Sequence, residues 1–205
     1  MERREAWWGY SFVVVLLIGQ LMVSLPASDD PALHVRQFYS AHQALIVVAQ
    51  VLSVLASLLF VGFAVALGRR ITSSRGGLIL ASGLLVALAS LVTAFPPLAL
   101  ALSPHRSLSS VHTLARAGDI TDAVLFGIIA LFAAAVWIER LPGWLRGLSA
   151  AVAVLALARA IISPLGSAAL DAIAPIGFIA LVLAISHWVL ARPRERAIVR
   201  GESPD

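Results

Sequence analysis

Apolar runs of membrane-spanning length alternate with short polar punctuation along most of the chain. The first run, residues 8–25, follows the charged and aromatic lead-in Met1-Glu2-Arg3-Arg4-Glu5-Ala6-Trp7-Trp8 and is closed by Pro26 and the turn Ser28-Asp29-Asp30-Pro31. Further runs cover 43–67, 77–95, 120–138, 148–162 and 171–190. A helix needs about 20 apolar residues to cross the hydrocarbon core. The pattern therefore predicts an all-α, polytopic integral membrane protein, with six transmembrane helices in one compact bundle. Residues 1–205 read as a single domain, with 191–205 a basic cytoplasmic tail. The first run is long, no Ala-x-Ala site follows it, and paired Trp suits an interface anchor, so it reads as a retained span and not a signal peptide.

The punctuation predicts how the spans are joined. Asp30-Pro31 has the form of an N-cap followed by Pro at the first helical position, opening a segment over 31–42 that lies outside as a short helix or as an extension of span two. Pro96-Pro97 should break or bend the third span. Residues 98–118 form a second outer segment, in which Leu108, Val111 and Ala115 share a helical face suited to the bilayer surface. Gly68-Arg69-Arg70, the turn 139–147 and Ser163-Pro164 complete the short connections.

Charge then orients the array. Eleven arginines fall on the shore reached by the N-terminus, the 68–76 loop, the 139–147 turn and the tail; only Arg36, Arg106 and Arg116 fall on the other. The positive-inside bias places both termini in the cytoplasm of a multi-pass cell-membrane protein. Trp7, Trp8, Trp137, Trp144 and Trp188 lie near the same inner interface. Composition agrees, with 60% hydrophobic and 13% charged residues and a mean hydropathy of +0.94. Those values lie far from a soluble domain. The basic pI of 10.9 does not signal nucleic acid, because the arginines sit where spans end. The bilayer is the partner that the composition implies. The absence of Cys excludes disulfides and thiol chemistry.

Candidate chemistry concentrates at the outer ends of the last three spans. Arg159 lies about one turn from the outer end of span five, and an arginine inside a span costs about 2.5–3.5 kcal/mol unless it is paired or hydrated. Asp122 enters span four from the same shore, with Asp119 one turn above, and Asp171 opens span six. Antiparallel neighbours would bring Arg159 and Asp122 to similar depth. Gln20 and Gln50 are polar positions inside spans one and two. Against this stand simpler readings: Asp119 and Asp122 as helix-start acids, Asp171 as an N-cap, and Arg159 snorkelling to headgroups.

His34, His42, His105 and His112 are all outer, but no pair has the spacing of a helical metal motif. No metal site, haem ligand pair, nucleotide loop or other cofactor motif is present, and no catalytic residue is assigned. Small residues four apart (Ser53/Ser57, Gly62/Ala66, Gly83/Ala87, Ala156/Ala160, Ala180/Ala184) mark candidate close helix contacts.

Around Phe60-Val-Gly-Phe-Ala-Val-Ala-Leu-Gly-Arg69 and Arg140-Leu-Pro-Gly-Trp-Leu-Arg-Gly147 the chain resembles a bacterial six-helix membrane family, domain of unknown function 4386. The likeness in layout runs from Gln43 to Arg192. It implies a compact helical membrane protein with a short Pro-containing turn before span five. It carries over no catalytic residue. The family pattern has an acidic residue in the last span, where Gly177-Phe178-Ile179 stand here.

The leading expectation is a non-enzymatic membrane protein that binds, senses or passes a small anion or organic solute. Its outward-facing polar pocket would be built from Arg159, Asp122, Asp171, Asp119 and Gln50. The alternatives are an accessory subunit packed against another membrane protein, and a membrane enzyme using the outer histidines.

Overall fold

The computed structural model describes residues 3–27, 29–71, 76–103, 107–163 and 170–190, and no strand occurs among them. Eight α-helices are described: Arg3–Met22 (α1), Ala32–Ala41 (α2), Gln43–Arg70 (α3), Gly76–Thr93 (α4), Phe95–Leu102 (α5), Leu108–Trp137 (α6), Gly143–Ile162 (α7) and Ile173–Ile185 (α8). A π-helical turn, Ser186–Leu190, extends α8. Five helical segments are long and apolar enough to cross a membrane, with α4 and α5 together forming one of them. The chain thus has a multi-pass helical membrane architecture. α8, at 13 residues, is shorter than a full span.

Helices α1, α3, α4, α6, α7 and α8 pack as a ring, each against its neighbour in that order, with α8 and its π-turn closing back on α1. At the arginine-rich end the ring is filled by aromatic side chains. Phe60 of α3 meets Phe12 of α1 at 4.9 Å between ring centroids, Phe132 of α6 at 5.7 Å and Phe178 of α8 at 5.6 Å. Phe60, Phe63 and Phe132 are fully buried. Buried hydroxyls in this half are satisfied within their own helices: Ser57 donates to Ser53 O, Ser149 to Leu145 O and Ser186 to Val182 O. Back-bonding of this kind leaves no polar demand on neighbouring helices. At the opposite end α2 and α5 lie over the bundle, packing Val35 and Tyr39 with Leu100, Ala101, Val111 and Ile46.

Several elements depart from the sequence reading. The predicted surface helix and span four are a single 30-residue helix, α6, capped by Ser107, whose side chain accepts from Ser110 N–H. No proline interrupts residues 108–137, and the isolated glycines Gly118 and Gly127 do not break a helix. The face carrying Val111 therefore packs on α2 and α5 and not on lipid headgroups. Pro96-Pro97 breaks the third span as expected, but the chain resumes at once as α5, with both prolines in its first turn, where a missing N–H costs nothing. Pro31, not Asp30, occupies the N-cap of α2; Asp30 instead sits 3.7 Å from His34. The tight turn before α7 is shorter than expected, since the helix begins at Gly143. The connection 164–169 and the tail 191–205 lie outside the described residues.

Candidate functional site

A cavity of about 360 Å³ occupies the ring at the end covered by α2 and α5. Polar side chains reach it from most of the ring: Gln20 of α1, Gln50 and Ser53 of α3, Thr93 of α4, Asp119 and Asp122 of α6, and Arg159 of α7. Ser163 and Asp171 add the residues that flank the α7–α8 connection. Pro26, Val35, Pro96, Pro97, Leu100 and Leu114 supply an apolar wall, and Tyr39 joins them from α2. Its volume and mixed lining are those of a small-molecule site.

Arg159 anchors the polar wall. Its Nη2 donates to Asp122 Oδ2 at 2.8 Å, and Nη1 donates to the Asp171 carbonyl at 3.3 Å. The guanidinium carbon stands 3.9 Å from the centroid of the Phe126 ring. Nε is buried without a hydrogen-bond acceptor, although Asp171 Oδ1 lies within ionic range at 3.5 Å. Only 12% of the Arg159 side chain is exposed, so it does not snorkel. Asp122 and Phe126 are four apart on α6 and hence stacked on one face, where they grip one guanidinium from its edge and its plane.

The structure brings all five candidate residues, Arg159, Asp122, Asp171, Asp119 and Gln50, to one cavity. Gln20 joins them there. The simpler readings of the aspartates do not hold. Asp119 and Asp122 lie in the interior of α6, well past its Ser107 cap. Ala172, not Asp171, is the N-cap of α8. A mid-helix acid has no orphan N–H to satisfy, so capping does not account for Asp122.

Two of the outer histidines make local contacts. His34 is exposed near Asp30, and His42 stacks on Phe38 and bonds its carbonyl at 3.0 Å. His105 lies outside the described residues. Among the described residues no group of three potential metal ligands occurs.

Sequence reasoning missed Tyr39, Thr93 and Phe126. The first is foreshadowed by Val35 and Tyr39 at a spacing of four in a helix of mixed polarity; Phe126 is foreshadowed by its spacing from Asp122. Tyr39 is 5% exposed. Burial pushes its phenol up to about 12, so it stays a neutral hydroxyl.

The fold and the site together define a multi-pass helical membrane protein with a polar cavity at one end of its bundle. Comparison with protein-family models, with curated proteins and with solved structures found no match to this chain.

Proposed function

We propose that this is a six-span membrane protein with both termini cytoplasmic, whose cavity opens outward and binds a small solute for sensing or transport. α8 is the sixth span, its short helix lengthened by the π-turn. The likeness to domain of unknown function 4386 belongs to the same proposal and supplies a layout but no chemistry. One observation carries the reading: polar groups from five ring helices, and from the turn before the sixth, meet in a single cavity. The other buried polar side chains among the described residues are Ser57, Ser82, Ser149 and Ser186, each bonded within its own helix, and Glu139 at the arginine-rich end. Buried polar groups in a membrane protein are costly, and a convergent set of them marks a solute path or site. The arginine excess at the other end favours a cytoplasmic location for that end.

The chain contains no Cys, so single-cysteine variants report directly. In intact cells a neutral, membrane-impermeant thiol reagent should label Thr93→Cys in the cavity and Ser109→Cys on the same side. Arg140→Cys should react only after permeabilisation. Failure of Thr93→Cys to react, or labelling of Arg140→Cys together with Ser109→Cys, would overturn the proposal.

A further inference from the structure

Resting on the outward-cavity reading, we infer that the solute is a small organic cation, an amine or guanidino compound, and not an anion. An anion would need Arg159, and Arg159 is already held. Its guanidinium bonds Asp122 at 2.8 Å and the Asp171 carbonyl at 3.3 Å, with Phe126 across its face. To bind an anion there, the protein would have to break a charge-assisted, partly buried bond. The acceptors tell the opposite story. Three carboxylates, Asp119, Asp122 and Asp171, line the cavity with one guanidinium. Three negative charges less one positive leave two formal negative charges among the described lining residues. The side chain of Asp171 is half exposed, at 50%, and so presents oxygen to an entering molecule.

The chain's own chemistry shows what this wall prefers. It already holds one organic cation, the Arg159 head, between carboxylates and an aromatic face, and that is the combination that recognises ammonium and guanidinium groups. An inorganic cation would need a shell of oxygen ligands on all sides. Here the lining also includes Pro96, Pro97, Leu100 and Leu114, which suits the hydrocarbon portion of an organic ion. The cation head thus sits toward the exposed carboxylate of Asp171, and its apolar body lies against the apolar part of the lining.

Charge selectivity can be read with three methanethiosulfonates of similar size, one bearing trimethylammonium, one sulfonate and one neutral. Each is reacted with Thr93→Cys in the full-length protein, and the rates are divided by those at the exposed control Ser109→Cys. Two net negative charges at about 6 Å favour a cation over a neutral molecule by roughly tenfold even at the permittivity of water. The normalised cationic rate should therefore exceed the neutral rate by about tenfold, and the anionic rate should fall below it. Adding Asp171→Asn should lower the cation preference several-fold, and adding Arg159→Gln should raise it. Equal normalised rates for all three reagents, or a preference for sulfonate, would overturn the cation assignment while leaving the cavity standing. If the neutral reagent itself fails at Thr93→Cys but reacts at Ser109→Cys, the outward cavity falls and the cation assignment falls with it.

Discussion

Arg159 touches two acids and one ring, and those contacts are unequal. Asp122 takes the short bond; Asp171 contributes its carbonyl and a longer ionic contact. Removing one member of a shielded pair leaves the other uncompensated, which costs about 3–5 kcal/mol when both are fully buried. Asp122 is a third exposed, so a smaller cost of about 1–3 kcal/mol is expected here. Arg159→Leu should be the more destabilising single change, because it strips a partner from two carboxylates, whereas Asp122→Leu leaves Arg159 with Asp171. The double variant should recover stability relative to Arg159→Leu. Denaturant or thermal unfolding of the purified variants checks this as a double-mutant cycle, and strict additivity would mean that the two side chains do not act as a pair.

Among the elements, α2 is the short helix of the two readings offered for residues 31–42, and it is separate from α3. Its ten residues are too few to span a bilayer. Instead, Val35 and Tyr39 pin it to α5 and the start of α6, over the cavity. The Tyr39 phenol is the polar group in that contact, and burial pushes it up to about 12, against about 10 in the unfolded chain. The folded state therefore holds this proton more tightly than the unfolded state. The stability involved is fully present below pH 10 and is lost as pH rises from 10 through 12. A shift of about two units corresponds to roughly 2–3 kcal/mol at most. The unfolding temperature of the wild type should fall over that window by more than that of Tyr39→Phe, which has no phenol to ionise. Identical pH profiles would place Tyr39 outside the cap contact.

Across the whole molecule, the size of the ring, and so of the cavity, depends on how closely its helices approach. Small residues set those distances. A Cβ at Gly83 of α4 would fall 2.6 Å from Ala64 Cβ of α3, and one at Gly9 of α1 would meet Ser186 where α8 closes the ring. Ala64 is itself a methyl group on a fully buried helix face and cannot rotate away, so Gly83→Ala must push α3 and α4 apart. Overpacking of that kind costs about 1–3 kcal/mol. Gly127→Ala on α6 meets nothing within 4 Å, and it should be neutral or slightly stabilising through helix propensity. Comparing the thermal stability of the two variants separates packing from propensity; equal effects would contradict the close α3–α4 contact. The paired small residues in the sequence were only partly informative about this. Gly83 and Ala87 are buried, whereas Ala180 faces outward.

How much of this was legible beforehand follows from the range over which each interaction acts. Span-length apolar runs, the break at Pro96-Pro97 and the polar positions Arg159, Asp122, Gln20 and Gln50 stand in the sequence alone. Each rests on local chemistry: the length of a helix, a missing N–H, or a charge in an apolar run. Segment boundaries in the outer region did not stand there. The amphipathic stretch before Asp119 could have faced lipid headgroups or protein with equal local satisfaction, and only the packing of α2 and α5 against Val111 settled which. The order of helices around the ring, the gathering of distant polar residues into one cavity, and the engagement of Arg159 by two acids are facts of tertiary structure. They depend on side chains up to about a hundred and fifty residues apart meeting at one depth, and no local periodicity encodes that.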